Sequence, residues 1–326
     1  GAGIPQKTFS TKAKCVQIMT GAIMPIGLDT VIRYEDISLT DDKATINVDT
    51  VVRQQNIHFK GEDRSQGEIV LGKGKLLGPP ELIVAAAVGR AKLSVFRLPK
   101  AAIITTGDEL VDINENPADH QIRRSSNYGI HSLLDSWGLK VKQFHLNDDK
   151  EQLLRELATI IESYDVLVIT GGVSRGKFDF LPDVLEELGV EKHFHKVKQR
   201  PGKPFWFGTY KIGKTIFALP GNPVSSFVCA LVYFKAWLAK SLGQDVQMST
   251  VKLGKSVSFD RPLTYFLECE VQANEKGERV AMPIKGNGSG DFDNMTLATG
   301  FVMLPPEKNG SLAGEVYRYI PYRNSI

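Results

Sequence analysis

The sequence predicts an α/β protein whose main part is a three-layer, doubly wound, mostly parallel sheet flanked by β-rich segments. Three observations lead there. Over residues 99–247, apolar runs of strand length alternate with stretches of helical periodicity. Those strands are almost continuously apolar, as strands covered on both faces must be. On either side of 99–247 the helical pattern fades and short strand-like runs alternate with turns.

Taken in order, residues 1–66 form a β-rich segment, with strands expected at Val16-Gln17-Ile18, Thr30-Val31-Ile32 and Ala44-Thr45-Ile46-Asn47-Val48. Residues 67–98 read as part of a mixed linker and helical domain, with one helix over 80–88 and a strand over 91–95. The α/β domain spans 99–247. Its strands are expected at 101–105, 141–146, 166–169 and 215–219. Its helices are expected at 126–137 (stopped by Gly138), 150–163, 180–188 and 224–243. The 150–163 helix places Leu153, Leu154, Leu157, Ile160 and Ile161 on one face. Over 224–243, Phe227, Ala230, Leu231, Phe234, Trp237 and Leu238 recur at helical spacing. Strands at 251–253, 264–271, 279–282 and 315–319 make a small C-terminal β domain over 248–326.

Composition narrows the function classes. With 42% apolar residues in 326, the chain can bury sizeable cores. Lys and Arg number 40 against 37 acids, and a net charge of +3 gives no case for nucleic acid or membrane partners. Cys15, Cys229 and Cys269 are widely spaced, which excludes a zinc ribbon and suits a reducing cytoplasm. No run is long and apolar enough for a membrane span, and no signal peptide is visible. The chain opens on Gly1-Ala2-Gly3 without Met, which reads as a piece lacking its N-terminal segment.

The chemistry concentrates where strands end. Leu219-Pro220-Gly221-Asn222-Pro223 follows a buried strand and opens a helix, with Asn222 as N-cap and Pro223 as first helical residue. Such a junction presents unpaired N–H groups to an oxyanion. Thr105-Thr106-Gly107-Asp108-Glu109 gathers acids and hydroxyls at another strand end, and reads either as a Mg²⁺ or substrate site or as a solvated turn. At Asn147-Asp148-Asp149-Lys150 one aspartate is expected to cap the next helix, while the pair could help to hold a cation. The stretch from Thr170 to Asp179, with Gly171, Gly172, Ser174, Arg175 and Lys177, fits a nest for a bulky anion, although it has neither P-loop nor Rossmann spacing. Lys196, Lys198 and Arg200 alternate, so an extended chain would place them on one face ahead of the turn Pro201-Gly202-Lys203-Pro204. That face is either a solvated edge or an anion pocket. His193 and His195 read as structural, Trp137 and Trp237 as core, and Trp206 as packing under the basic turn. Together these features imply a phosphate-bearing or other oxyanion ligand held with Mg²⁺ at the carboxyl rim of the sheet.

Six ordered motifs now carry a resemblance: Ile18-Met19-Thr20-Gly21-Ala22, Gly61-Glu62-Asp63, Thr106-Gly107-Asp108-Glu109-Leu110, Gly171-Gly172-Val173-Ser174, Pro201-Gly202-Lys203-Pro204 and Leu219-Pro220-Gly221-Asn222-Pro223-Val224-Ser225. Over essentially its whole length the chain resembles the molybdopterin molybdotransferases, the MoeA and gephyrin E-domain family, whose central domain is MogA-like. The resemblance implies insertion of molybdenum from molybdate into adenylylated molybdopterin, release of AMP, dependence on Mg²⁺, a homodimer in the cytoplasm, and contact with the upstream adenylyltransferase. It implies Asp63, Glu109, Asp179, Lys196 and Arg200 as catalytic. It implies Thr20, Lys203, Pro220, Pro223 and Ser289 as substrate-binding and matches Asp148 and Asp149 to the family's acidic pair. With the strand-end turns read above, Thr106, Gly107, Gly171, Gly172, Ser174 and Asn222 join the substrate set, and Asp108, Asp148 and Asp149 make the expected metal set. Arg200 stands where the family often has Lys. Many members carry arginines around residues 264–268, where this chain has none. A non-catalytic molybdopterin-binding or scaffold paralogue is the alternative reading, and an adenylyltransferase of the MogA-like fold is a third.

Overall fold

The structure is a computed structural model that describes residues 1–10, 14–173, 180–246, 248–286, 291–306 and 310–323. The chain divides into two compact units, Gly1–Ala91 and Lys92–Ile326.

In the first unit, strands β1 (Ile37–Thr40) and β2 (Lys43–Ile46) form a hairpin with Ile37 opposite Ile46. The two loop residues Asp41 and Asp42 have φ of 51° and 59°, the left-handed pair that matches strand twist in a tight hairpin. Helix α1 (Pro79–Ala87) begins with a proline that lacks the N–H a first helical turn cannot use. The Glu81 carboxylate accepts the Gly78 N–H at 2.9 Å. The strands expected at 16–18, 30–32 and 91–95 are not formed. Thr8 and Ile26 make an isolated bridge instead, and Val31 N–H donates to Gln55 O in a loop pairing. Residues 91–95 begin at the division between the two units. β-Branched residues favour extended backbone, but a strand also needs a neighbour in register.

The second unit begins with β3 (Ala101–Thr106) and the short parallel pair β4 (Leu110–Val111) and β5 (Ile122–Arg123). There follow α2 (Ser126–Ser136), β6 (Val141–Leu146), α3 (Lys150–Ser163), β7 (Val166–Thr170) and α4 (Leu181–Glu187). Next come β8 (Glu191–His195), β9 (Gln199–Arg200), β10 (Trp206–Tyr210) and β11 (Lys214–Leu219). The main sheet runs β6-β3-β7-β11-β10-β8. Its first four strands are parallel, and β10 lies antiparallel between β11 and β8. Leu153, Leu157, Val184 and Leu185 fill one face of the sheet; Ile130, Leu134, Phe234 and Leu238 fill the other. This is the three-layer arrangement that the apolar strands predict.

The predicted single helix over 224–243 has an irregular middle. Helix α5 (Pro223–Cys229) passes into a π turn at Ala230–Phe234 before α6 (Lys235–Ser241). The wider turn keeps Phe234 and Leu238 in the core while Tyr233 stacks on Phe205. The expected single extended face through Lys196, Lys198 and Arg200 is also corrected. Lys196 has φ of 74°, the chain turns there, and β9 leaves the main sheet.

The rest of the unit contains β12 (Ser249–Leu253), β13 (Thr264–Ala273), β14 (Arg279–Pro283), α7 (Asn294–Leu297), β15 (Gly300–Leu304) and β16 (Val316–Pro321). The order β14-β12-β16-β15-β13, closed by β13 pairing with β14, makes a five-stranded barrel. Strand β9 extends it, with Gln199 opposite Thr264 and Arg200 opposite Tyr265. Val224, Val228 and Leu231 of the long helix pack against Phe266, Phe301 and Ile320 of the barrel. The basic segment is thereby tied to both parts of the unit.

Candidate functional site

Three strand ends converge. A Cβ added to Gly171 would lie 2.6 Å from the Thr106 carbonyl oxygen, and one added to Gly221 would lie 3.6 Å from Gly171 Cα. The loops after β3, β7 and β11 therefore touch, as the parallel order of those strands requires. Gly171 and Gly172 have φ of 97° and 66°, a left-handed pair for which glycine is the natural residue. Thr106 is buried beneath them, and its hydroxyl has no protein partner. Asn222 caps α5 by accepting the Ser225 N–H at 3.3 Å, and the Ser126 hydroxyl donates to Gly221 O at 3.0 Å.

Beside these loops lies a cavity of about 460 Å³. Gly172, Pro220 and Asn222 line one side, and Arg200, Lys203 and Arg261 bring three cations to it. Arg200 is held by the barrel, with its guanidinium 5.9 Å from the centroid of Phe259, a ring that stacks at 4.5 Å on Tyr265. The Arg200–Pro201 peptide is cis. Arg261 comes from the loop before β13, some sixty residues beyond the basic turn, and is the site cation that motif reading missed. No local pattern around Arg261 announces it, because only closure of the barrel against the long helix brings it here. Lys196 does not line the cavity; its N–H donates to Phe205 O at 2.7 Å where the chain turns. Pro223 likewise serves as the first helical residue of α5, outside the lining.

The acids sit at the next strand ends. Asp108 Oδ1 accepts the Asp148 N–H at 3.1 Å, which joins the loops after β3 and β6. The Glu109 carboxylate folds over Gly107, where a Cβ would come within 2.5 Å of it. Asp149 is the N-cap of α3, accepting the Gln152 N–H at 2.8 Å, so one of its oxygens is already committed. Among the described residues no three His, Cys, Asp or Glu side chains form a metal cluster. The set therefore fits Mg²⁺ only in the form that takes one or two carboxylates and completes its shell with water and substrate phosphate. Nearby, burial and the Arg124 charge hold the His145 imidazole below its ordinary pKa.

Of the other expected site residues, Thr20 and Asp63 belong to the first unit. Asp63 is exposed and meets His58 Nε2 at 3.1 Å. Ser174, Asp179 and Ser289 lie outside the described residues. A second, smaller cavity of about 60 Å³ between the basic turn and the barrel is lined by Arg200, Tyr265, Glu268 and Gly286. Burial, with Asp291 adding like charge, pushes the Glu268 carboxyl up to about 7.

The chain is similar to known proteins along its length. Residues 1–89 match the MoeA N-terminal region (domains I and II), 102–240 a probable molybdopterin binding domain, and 250–322 the MoeA C-terminal region (domain IV). It is 36% identical over 322 residues to a molybdopterin molybdenumtransferase of Synechocystis sp., covering 98% of this chain and 80% of the relative. It is 32% identical over 338 residues to that of Haemophilus influenzae, covering 100% and 81%. A crystal structure of the molybdopterin biosynthesis moeA protein from Pyrococcus horikoshii superposes with a TM-score of 0.81 at 27% identity, over 99% of this chain and 79% of that one.

Proposed function

The chain belongs to the MoeA family, and from that premise we propose that the cavity between the basic turn and the strand-end glycines is where molybdate meets the pterin. Its reaction is the molybdenum insertion step of molybdenum cofactor biosynthesis, carried out by a transferase with molybdopterin as substrate. The observation that carries the placement is the meeting of Arg200, Lys203 and Arg261 at one cavity beside Gly172 and Gly221. Molybdate is a tetrahedral dianion. Three cations from two parts of one unit can surround it, while glycine backbone leaves it room to approach.

In this reading the pterin enters adenylylated and AMP leaves as molybdenum is inserted. Arg200, Lys203 and Arg261 hold the oxyanion and offset charge on the departing phosphate. Thr106, its unpartnered hydroxyl buried under the glycine loop and outside the cavity lining, is kept as a substrate residue by its motif position. Asp108 and Glu109 would hold Mg²⁺, which when bound supplies positive charge beside the phosphoanhydride. Asp148 orients Asp108 through its backbone N–H, and Asp149 anchors α3. Asp63, Thr20, Lys196, Asp179, Ser174 and Ser289 are kept as functional residues by their motif positions alone, apart from the cavity described above. The chain is read in four parts, 1–66, 67–98, 99–247 and 248–326. We place the protein in the cytoplasm as a homodimer that receives its substrate from the adenylyltransferase. The exposed Leu82 and Ile83 on α1 give such an assembly an apolar face.

The test is molybdate-dependent release of AMP from adenylylated molybdopterin, comparing wild type with Asp63→Ala and Lys203→Ala. Release that both substitutions abolish supports the reading. Pterin binding without release in the wild type would make the protein a scaffold, and unchanged turnover in both variants would move the site elsewhere.

A further inference from the structure

The turn that carries Arg200 and Lys203 is held by a buried hydrogen-bond network centred on Gln199, which also lines the cavity, and reaching back to Cys229 and Tyr233, which do not. Gln199 is 3% exposed. Its Nε2 donates to Pro201 O at 2.9 Å and to Cys229 Sγ at 3.7 Å. Cys229 Sγ donates in turn to Gly202 O at 3.7 Å. The Gln199 Oε1 accepts the hydroxyl of Tyr233, whose ring lies 4.5 Å from that of Phe205 at 19° between planes. Packing behind the turn is tight, since a Cβ on Gly202 would fall 2.6 Å from Cys229 Sγ and 2.7 Å from Gln199 Nε2. Tyr233 reaches this place from the π turn at Ala230–Phe234.

The network solves an electrostatic problem. A peptide carbonyl presents the negative end of its dipole, and an oxyanion site must keep such ends turned away. Here the Pro201 and Gly202 carbonyls, which sit between the two cations in sequence, are both engaged within the protein: Pro201 O accepts from Gln199, and Gly202 O accepts from Cys229 Sγ and from the Phe205 N–H at 3.3 Å. The primary amide of Gln199 could face either way, since it has a donor end and an acceptor end. The Pro201 carbonyl, which can only accept, fixes the orientation in which Nε2 faces it, and the Tyr233 hydroxyl holds the amide there by donating to the Oε1 at its other end. Tyr233 is a donor at neutral pH as any phenol is, and burial pushes its pKa further up, to about 12.

We propose that Tyr233, acting through Gln199, is a positioning residue for oxyanion binding: it holds the Pro201 carbonyl of the Arg200–Lys203 turn engaged within the protein and the turn's cations at the cavity. The proposal rests on the reading of that cavity as the molybdate site. Tyr233→Phe tests it, because it removes the hydroxyl and keeps the ring that stacks on Phe205. Titration of the full chain with sodium molybdate is expected to show about five- to tenfold weaker binding in Tyr233→Phe. The KM for molybdate should rise by the same factor, with kcat at saturating molybdate within about twofold of wild type. Adding Tyr233→Phe to Gln199→Met should cost nothing further, because the tyrosine acts through the glutamine. A merely packing role would lower the melting temperature and leave molybdate affinity unchanged, and that result would overturn the proposal. So would additive losses in the double variant. Lys203→Ala separates the two levels. If it loses molybdate while Tyr233→Phe binds normally, the positioning role fails and the site stands. If wild type and Lys203→Ala bind molybdate equally, the site reading fails and takes this proposal with it.

Discussion

Thr106 and Gly171, at the ends of neighbouring parallel strands, approach until a Cβ on the glycine would lie 2.6 Å from the threonine carbonyl oxygen. With Gly221 against the other side of Gly171, the pair makes the floor on which the proposed site is built. Gly171 has φ of 97°, so a side chain there would meet both backbone strain and a carbonyl that cannot move without β3. Gly171→Ala is expected to cost roughly 2–4 kcal/mol of stability. Denaturant unfolding measures this. A variant as stable as wild type would show that the loop shifts freely, and the close approach would then not define the floor.

The three cations of the larger cavity should be separable in function. Lys203→Ala and Arg261→Ala each remove a charge from the lining without touching the core. Each charge-assisted contact to a bound oxyanion is worth about 1.5–3 kcal/mol, so molybdate affinity should fall roughly ten- to hundredfold in either variant. Arg261→Lys should recover only part, since a lysine cannot present two parallel donors. Molybdate titration at fixed ionic strength is the measurement, and an Arg261→Ala that binds normally would remove that residue from the site.

Legibility in the sequence followed the range of the interactions involved. The strands β3, β7 and β11 and the cap at Asn222 are legible because burial on both faces and capping are local patterns, whereas β6 is an edge strand in which only Leu146 is buried. Trp206 reads only as packing under the basic turn, so the antiparallel strand β10 does not show in the sequence: nothing in Trp206 and Phe207 names their partners Ala218 and Phe217. Strand β15 was missed for a similar reason: its pairing with β13 joins residues more than thirty apart. At the site, glycine turns and Lys203 were legible as motifs. Arg261 and Tyr233 were not, because their roles come from barrel closure and from a π turn that helical periodicity does not register. The reading of Lys196, Lys198 and Arg200 as one face failed because Lys196 adopts a left-handed conformation that alternation cannot reveal.

The Asn222 cap links stability to the site more gently. Its side chain accepts the Ser225 N–H at 3.3 Å, at the start of the long helix that also buries Val224 and Val228 against the barrel. Asn222→Ala should cost about 1 kcal/mol, and Asn222→Asp should keep most of the cap. Because Asn222 lines the cavity, the aspartate would also place a negative charge beside the bound oxyanion. The expected outcome is a near-normal melting temperature with weakened molybdate binding for Asn222→Asp, and the reverse emphasis for Asn222→Ala. Thermal melts paired with titration distinguish them.

Glu268 offers a prediction in pH. Its carboxyl is half-buried between Arg200 and the barrel, one of its oxygens lacks a partner, and its pKa is raised to about 7 from an ordinary 4.5. Between those values the folded chain holds a proton that the unfolded chain has released. By linkage, stability then falls as pH rises through that window, and the contribution of the protonated form is lost above about 7. Glu268→Gln keeps the shape and cannot ionise. It should therefore flatten the decline between about pH 5 and 7 and leave the variant more stable than wild type at pH 8. Urea unfolding at a series of pH values measures the slope directly. Parallel slopes in the two proteins would mean that Glu268 ionises in the folded state as freely as in water, and that the small cavity is wetter than its lining implies.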